Sequence, residues 1–265
     1  MSNRIRFGIL HLRGGLGNQL FQLSALAQFS RELGFKPIIY DKDLFLSERD
    51  DFFPQYRKLD TSSWFSTELS PKTLPKYVSR IVQIFMKFVP SNIILKEQDL
   101  LSANNSRDLP RFFFIRGTFE DQRYIDDSLK SALKATFEAL SIGEQSNTSP
   151  KNVALHIRVA GYPAITSAQL QNIKNLILKL NLADSKEIDL YSDDLPKALT
   201  MLGEIPEITI RCPEKHHKLE PQKLLFALSC YQLLICNGSS LARWATYLGS
   251  ISHEHRLVDF TKLEY

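Results

Sequence analysis

Cysteine is scarce in this sequence. The three cysteines are Cys212, Cys230 and Cys236, and no two of them have the spacing of a Cys-x-x-Cys pair. So few cysteines, in an odd number, argue against a framework of disulfides and indicate thiols that stay reduced. We therefore expect a cytoplasmic protein.

Long apolar runs are also missing. No segment approaches the roughly 18 uncharged apolar residues that a membrane-spanning helix needs. The N-terminus, Met1 to Ile5, leads straight into a predicted strand and lacks the basic start, apolar core and cleavage site of a signal peptide, so we expect none. The 265 residues, 43% of them hydrophobic, are typical of a globular protein with one large domain or two small ones.

Charge of one sign is in only slight excess. The net charge is +4 and the isoelectric point is about 8.8. This mild basicity suits an anionic ligand or an anionic membrane surface. It is too weak to predict a nucleic-acid partner.

Glycine is concentrated in one short stretch near the start of the chain. An apolar run from Ile5 is followed by Gly14, Gly15 and Gly17, and then by a helical pattern that ends before Gly34. A strand that turns through glycine into a helix presents bare N–H groups and the positive end of the helix dipole, which stabilise an anion. Taken alone, such a turn is more often a tight connection than a ligand site.

The glycine pattern is neither of two common nucleotide motifs. Leu20 occupies the place of the third glycine in the dinucleotide fingerprint, and no Lys-Ser/Thr pair follows the glycines as in a P-loop. The sequence therefore predicts an anion-binding turn without identifying its ligand.

The second half of the chain alternates strands with helices, which predicts a parallel sheet covered on both faces. The helix from Ser167 to Leu180 has Ser167 as its expected N-cap. The most linker-like stretch is 141–151, and it divides the chain into predicted lobes 1–147 and 148–265. The expected elements of the second half are strands 152–158, 187–192, 208–212, 233–236 and 256–260 and helices 167–180, 195–202, 221–231 and 239–248.

Residues 41–110 have no such rhythm. Within them, Tyr77 to Val89 is apolar with interspersed Lys76, Arg80 and Lys87. It could lie on a membrane surface as a basic amphipathic helix. We favour a helix docked on its own domain, because apolar residues cover much of its circumference.

Polar residues follow several of the predicted strands. In parallel sheets, ligands bind beyond the carboxyl ends of the strands. Each residue also has an ordinary structural explanation, as a core histidine, a structural ion pair or a helix cap. Together they favour a site in which arginine and a Ser-Ser helix start bind a diphosphate and a carboxylate reads a guanine edge. These residues are His156, Arg158, Asp193, Asp194, Asn237, Ser239 and Ser240.

Five stretches in order resemble signatures of the bacterial α-1,2-fucosyltransferases, glycosyltransferase family 11. Residues 14–22, Gly-Gly-Leu-Gly-Asn-Gln-Leu-Phe-Gln, resemble the opening signature of that family. The other matching stretches are 117–124, His156-Ile157-Arg158 with Tyr162, 191–194 and 237–248. The resemblance therefore spans nearly the whole chain.

The resemblance implies an α/β, GT-B-like fold of two Rossmann-type lobes whose parallel sheets face each other across a cleft. It implies an inverting transfer of L-fucose from GDP-L-fucose to the 2-hydroxyl of a galactose, with no metal and no further cofactor. The implied partners are the nucleotide sugar and a β-galactoside glycan, without nucleic acid. Membrane contact, if present, would be peripheral and at the cytoplasmic face.

The same resemblance implies roles for individual residues. Arg158 would hold the β-phosphate and stabilise the leaving GDP, and His156 would support the same diphosphate. Asp193 or Asp194 would read the guanine. The adjacent aspartates do not predict a metal site, because neighbouring residues in an extended chain point to opposite sides.

Residues of both lobes complete the implied site. Asn18 and Gln19 would approach the fucose and the acceptor from the first lobe. The remaining residues implied in donor binding are Gly14, Gly15, Gly17, Asn237, Ser239 and Ser240.

Some residues depart from the family pattern. Val159 and Gly161 stand where the family has a second arginine and an aspartate, so no role of that aspartate carries over. Carboxylates near strand ends of the first lobe that could replace it are Asp41, Asp43, Glu120 and Asp121. Two alternatives follow, a transferase for another nucleotide sugar and a non-catalytic protein that binds GDP or a glycan. A nicotinamide-dependent oxidoreductase is least favoured, because the third glycine is absent.

Overall fold

The computed structural model divides the chain into two compact units, Met1–Leu140 and Ser141–Tyr265. The expected boundary between residues 147 and 148, the Asp43 position and most of the Tyr77 to Val89 segment lie outside the described residues, and those expectations stay predictions. The residues described are 5–41, 72–75, 78, 82, 90–103, 108–125, 129–132, 134–135, 151–159, 164–179, 186–213, 220–249 and 255–262.

The first unit contains a five-stranded parallel sheet with the order β3-β2-β1-β5-β4. The central strand β1 lies between β2 and β5. The elements are β1 (Phe7–His11), α1 (Leu16–Leu33), β2 (Lys36–Tyr40), β3 (Lys72–Thr73), β4 (Ile94–Leu95), α2 (Glu97–Ser102) and β5 (Phe112–Ile115).

The first strand and helix form where the sequence predicts them. Most side chains of α1 are buried, and the helix ends at Gly34, whose left-handed backbone has φ 68° and donates its N–H to Ser30 O. Gly8 allows a close contact in β1, because a Cβ there would lie 2.6 Å from the Phe35 ring and 2.9 Å from Phe113. The backbone of β1 is therefore tightly fixed under α1 and its neighbours.

The second unit contains another five-stranded parallel sheet, with the order β10-β9-β6-β7-β8. Its alternation of strands and helices confirms the prediction. The elements are β6 (Lys151–Ile157), α3 (Ser167–Lys179), β7 (Glu187–Ser192), α4 (Leu195–Leu202), β8 (Thr209–Arg211), α5 (Pro221–Ser229), β9 (Tyr231–Cys236), α6 (Ser240–Gly249) and β10 (Arg256–Asp259).

The predicted cap of α3 is wrong by one residue. Thr166 Oγ1 accepts from the Gln169 N–H at 3.2 Å, while Gln169 Oε1 accepts from the Thr166 N–H at 3.0 Å. This is a capping box, which needs Ser or Thr three residues before Glu or Gln. Thr166 meets that spacing, whereas Ser167 is already the first residue of the helix.

β6 is the central strand of the second sheet, and its side chains form part of the apolar core. Val153, Leu155 and Ile157 of β6 are all buried and belong to one apolar cluster with Ile173 and Ile177 of α3. The alternate residues Ala154 and His156 are buried as well, as is typical of a parallel strand covered on both faces. The strand order reverses at β6, since the chain proceeds through β7 and β8 on one side and then through β9 and β10 on the other.

Among the described helices, none is both long enough and apolar enough to cross a membrane.

Candidate functional site

The reversal of strand order in the second unit locates the candidate site. β6 and β9 are neighbours there, with His156 opposite Cys236 in the register. In open parallel sheets, the crevice at the carboxyl ends of two such strands is where ligands bind. Arg158 follows β6 and Asn237 follows β9, so both predicted site residues lie at this edge.

Asn237 fixes the backbone of Arg158. The Arg158 N–H donates to Asn237 Oδ1 at 2.9 Å, and Asn237 Nδ2 donates to the Arg158 carbonyl at 2.7 Å. A carboxamide carries one acceptor and a donor group, so a single side chain satisfies both backbone groups of one residue. Because Asn237 itself is buried, this clamp ties the end of β6 to the turn before α6.

Asp193 orients the side chain of Arg158. Arg158 Nε donates to Asp193 Oδ2 at 3.4 Å, and Asp193 Oδ1 accepts from the Val159 N–H at 2.7 Å. Both carboxylate oxygens of Asp193 thus have partners in the residues after β6. The guanidinium is partly buried, with a side-chain exposure of 17%.

Asp194 caps α4. Its Oδ1 accepts from the Lys197 N–H at 3.2 Å, and its own N–H donates to Ser192 Oγ at 3.1 Å. This is the helix-cap role that competes with guanine recognition in the sequence. The expectation that Asp193 or Asp194 reads guanine stays a prediction.

The turn between β9 and α6 forms the other side of the crevice. Gly238 has φ 77°, a left-handed conformation that favours glycine. Ser239 Oγ accepts from the Ala242 N–H at 3.4 Å, and its carbonyl accepts from the Arg243 N–H at 3.1 Å. Ser240 is the first residue of α6. The N-terminus of α6, a favourable place for an anion, therefore opens next to Asn237.

His156 is buried beneath this edge. Its Nδ1 has no hydrogen-bond partner among the described residues. Burial, followed by the positive charge of Arg158, lowers the pKa of His156 to about 4, with Asp193 acting in the opposite direction. The imidazole is therefore neutral at pH 7, and Arg158 carries the positive charge of the pair.

The lowered pKa of His156 predicts a loss of stability in mild acid. In the unfolded chain His156 takes up a proton near pH 6.5, while the folded protein resists protonation down to about pH 4. His156 therefore has little effect on the free energy of unfolding above pH 6.5, and it lowers that free energy as the pH drops from 6.5 towards 4. Between pH 7 and pH 5, His156→Gln should lose about 2 kcal/mol less stability than the wild type.

Urea unfolding measures this difference. The chain has two tryptophans, so a Trp64→Phe background leaves Trp244, which is buried in α6, as the fluorescent reporter of the second unit. Equal losses of stability in both proteins would contradict a neutral, buried His156.

Two glutamines hold the glycine turn of the first unit. Gln19 is fully buried, and its Nε2 donates to the Gly14 carbonyl at 2.8 Å. Gln22 Oε1 accepts from the Arg13 N–H at 2.9 Å, and its Nε2 donates to the Arg13 carbonyl at 3.1 Å. Gln19 thus supports the turn from inside. The sequence predicts no role for Gln22, although Gln22 lies within the 14–22 motif, three residues after Gln19 on α1.

Asn18 lies against the turn itself. Gly14 has φ 79°, and a Cβ there would lie 2.6 Å from Asn18 Nδ2, so glycine is required. The buried Oδ1 of Asn18 has no hydrogen-bond partner in the described part of the chain. Gly15 precedes α1, and Gly17 is buried in its first turn. The roles expected for Asn18 and Gln19 towards fucose and the acceptor stay predictions.

The proposed substitutes for the family aspartate occupy different settings. Asp41 is buried directly after β2. Asp121 accepts from the Arg123 N–H at 2.9 Å and forms an ion pair with the same arginine. Glu120 is half-buried. In the described ranges, no group of three or more His, Cys, Asp or Glu side chains is arranged as a metal site.

Comparison with known proteins identifies the fold. No protein-family model and no curated protein matches the sequence. Two crystal structures of the fucosyltransferase NodZ from Bradyrhizobium match 92% of this chain over 93% and 92% of their own, with 14% and 15% identity and TM-scores of 0.52 and 0.51. A structure of POFUT1 in complex with GDP-fucose covers 97% of the chain at 11% identity and a TM-score of 0.47. The chain therefore has a GT-B-like α/β fold with two parallel sheets, as predicted.

Proposed function

We propose that the chain transfers L-fucose from GDP-L-fucose to the 2-hydroxyl of a galactose in a glycan. The observation that carries this proposal is the fixed position of Arg158, which Asn237 holds by its backbone and Asp193 by its side chain. The fold shared with fucosyltransferase structures supports the transfer of fucose, and the motifs that resemble family 11 support the 2-hydroxyl of galactose as the acceptor position. Arginine at the reversal of strand order suits a diphosphate, because its planar fork stays charged and binds two oxygens.

The donor would bind across the carboxyl edge of the second sheet. Arg158 and the N-terminus of α6 at Ser239 and Ser240 supply the positive field for the diphosphate. His156, buried and neutral, leaves the guanidinium as the charged partner of the phosphate oxygens. This arrangement supplies positive charge from the protein itself, so we propose a reaction that needs no metal.

The reaction would break the bond between fucose C1 and the β-phosphate oxygen of GDP. The acceptor oxygen forms the new bond from the opposite face, which inverts the anomeric centre, and its proton leaves to a base or to water. Arg158 stabilises the negative charge that develops on the departing phosphate, which is the largest electrostatic demand of the step. Glycine at position 161 excludes that residue as the base.

A different nucleotide sugar is the second candidate donor. It is favoured by the partners of the two aspartates, since Asp193 is bound to Arg158 and the Val159 N–H, and Asp194 caps α4. A carboxylate already engaged in this way is less available to accept from a guanine edge. The rest of the proposed donor site would serve any nucleoside diphosphate equally well.

Thermal stabilisation by nucleotides distinguishes the two donors. We expect millimolar GDP to raise the melting temperature of the full chain, and UDP and ADP to raise it much less. A ligand at one hundred times its dissociation constant stabilises by about 2.7 kcal/mol. Equal shifts with all three would favour the second donor class, and no shift with GDP would reject the proposal.

Transfer itself needs a direct assay. We expect incubation with GDP-fucose and a panel of β-galactosides to give fucosylated products by mass spectrometry, with the linkage at O2 by NMR. Binding of GDP without hydrolysis or transfer would instead indicate a non-catalytic member.

We also propose, from the scarce cysteines, that the protein works in the cytoplasm, with any membrane contact peripheral.

A further inference from the structure

Asp259 is a carboxylate at the carboxyl edge of the second sheet that no sequence motif marks. It is the last residue of β10 and lies opposite Cys236 of β9 in the register. Because the turn into α6 begins directly after Cys236, Asp259 lies beside that turn. Its side chain is 11% exposed. This edge therefore carries a third aspartate besides Asp193 and Asp194.

The two oxygens of Asp259 differ in their partners. Oδ1 accepts from the Thr261 N–H at 3.2 Å and from the Thr261 hydroxyl at 2.6 Å, within the short 3₁₀ turn Phe260–Lys262. Arg243 Nη2 lies 3.6 Å from Oδ2, which is an ion pair but too long for a hydrogen bond. Oδ2 is buried and accepts no hydrogen bond within the described part of the chain.

A structural role explains Oδ1 of Asp259 but not Oδ2. The turn at Thr261 uses Oδ1, and the ion pair with Arg243 compensates the negative charge. Neither contact gives Oδ2 a hydrogen bond, although the great majority of buried polar atoms in proteins have one. By contrast, both oxygens of Asp193 are bonded to the residues after β6. Asp259 therefore has an acceptor atom to offer to a ligand that donates.

Gly238 leaves a space in front of this oxygen. It has no side chain, and its φ of 77° favours glycine. Besides its neighbours along the chain, the described atoms within 4 Å of a Cβ placed on Gly238 are Asp259 Oδ2 at 3.7 Å and Thr261 Oγ1 at 4.0 Å. Both atoms are polar, and Thr261 is exposed. A ligand group that lies over Gly238 would therefore meet a carboxylate oxygen and a hydroxyl.

The distance from the proposed diphosphate identifies the ligand group. The diphosphate would lie at the N-terminus of α6, which begins at Ser240, two residues after Gly238. In a nucleoside diphosphate the ribose is joined directly to the α-phosphate, and the base lies beyond the ribose. The ribose hydroxyls are therefore the hydrogen-bond donors nearest to the phosphates. In dinucleotide-binding sheets, too, an acidic side chain accepts from a ribose hydroxyl.

We infer that Asp259, with Thr261 beside it, binds a ribose hydroxyl of the donor nucleotide over Gly238. This inference rests on the proposed function, in which a nucleotide lies along this edge of the second sheet. It adds a residue that selects a ribonucleotide over a deoxyribonucleotide. Because the ribose is common to all ribonucleotides, the inference applies to GDP and to another nucleoside diphosphate alike.

Nucleotides that lack one hydroxyl test the inference on the full chain. GDP, 2′-deoxy-GDP and 3′-deoxy-GDP differ only in the ribose. By titration calorimetry we expect one of the two deoxynucleotides to bind about tenfold to a hundredfold more weakly than GDP, as the loss of a hydrogen bond to a charged group predicts. Comparison of the two identifies which hydroxyl Asp259 binds. Full affinity for both deoxynucleotides would reject the inference.

Variants assign the preference for ribose to Asp259. Asp259→Ala should bring the affinities for GDP and the deoxynucleotide to within about twofold of each other, and Asp259→Asn, which keeps a neutral acceptor, should retain part of the difference. A purely structural loss would lower both affinities by the same factor, so the ratio is the decisive measurement.

Glu207→Gln is the matched control for Asp259→Asn. Glu207 is an exposed carboxylate that is paired with Lys186 at 2.8 Å, and both residues lie just before strands of the same sheet, at the edge opposite the carboxyl ends. This variant should keep the affinity and the ratio of the wild type. Circular dichroism and melting temperature verify that each variant is folded.

The outcomes separate this inference from the proposed function. If GDP fails to bind but ADP or UDP binds, GDP-fucose is rejected as donor, and the deoxy forms of the nucleotide that binds give the same test of Asp259. If none of the three binds, the proposed function and this inference both fail. If GDP binds and the ratio of affinities is unchanged in Asp259→Ala, the donor site stands and the role of Asp259 is rejected.

Discussion

Replacement of Arg158 by alanine is expected to abolish the stabilisation of the protein by GDP and to lower fucose transfer by about 10²–10³-fold, as loss of one oxyanion donor does in other enzymes. The guanidinium is the charged group that Asn237 and Asp193 hold at the carboxyl edge of the second sheet. Its removal leaves the departing phosphate without this partner. Thermal shift with GDP and initial rates with GDP-fucose measure the two effects.

Two further variants sharpen this result. Arg158→Lys keeps the charge but loses the fork that binds two oxygens, so an intermediate rate is expected. Arg256 is exposed at the first residue of β10, on the edge of the same sheet opposite the carboxyl ends of the strands. Arg256→Ala should therefore have the GDP shift and the transfer rate of the wild type. Retention of the GDP shift in Arg158→Ala, with the protein folded, would remove the central residue from the proposed site.

Asn237→Ala is expected to destabilise the second unit by about 2–5 kcal/mol. The substitution leaves both the N–H and the carbonyl of Arg158 without this partner. A fully buried unsatisfied group costs about 1–3 kcal/mol, and these two groups are part-buried, so their combined cost should stay below the upper limit of about 6 kcal/mol. Transfer should also fall, because Arg158 is no longer fixed. Urea unfolding and the kcat of the folded fraction measure the two losses.

Two further variants, Asn237→Asp and the control Asn175→Ala, test the same contact. A carboxylate keeps the acceptor for the Arg158 N–H but cannot donate to the carbonyl, so Asn237→Asp should also be destabilising. Asn175, which accepts from Gln171 on the exposed face of α3, serves as control, and Asn175→Ala should cost less than about 0.5 kcal/mol. Equal stability of Asn237→Ala and wild type would show that the clamp is energetically unimportant.

The elements of the second unit were predictable because each one carries its own signal. Strands such as β6 and β9 are short apolar runs. Of the helices between them, α4 starts with Pro196 near its first residue and ends at Gly203, and α5 starts at Pro221. Gly34 in the sequence likewise predicts where α1 ends, because glycine favours the left-handed conformation that follows a helix. The strand ends, and hence the candidate site residues, followed from these local patterns.

Side-chain pairings across the fold were not predictable. Asn237 and Arg158 are 79 residues apart, and nothing in either local sequence specifies that one carboxamide bonds both backbone groups. The buried Asp189 of β7 has the same character, since it accepts from Arg211 Nε on the adjacent strand β8 and from the hydroxyl of Tyr231 on β9, two strands away on the other side. Such contacts depend on strand order, which the sequence does not encode locally.

The cap of α3 is a different kind of error. Thr166 and Ser167 are both good N-cap residues, and choosing between them requires the partner three positions later. Gln169 meets that condition for Thr166. The signal was therefore present in the sequence, in the spacing rather than in the residue type.

The strand order of the second unit has a consequence for synthesis on the ribosome. β6 pairs with β7 on one edge and with β9 on the other, yet β9 is made only after α3, β7, α4, β8 and α5. One edge of β6 therefore has no strand partner for on the order of ten seconds of elongation. During that interval the backbone N–H and C=O groups along this edge of β6 are open to wrong pairing with other strands.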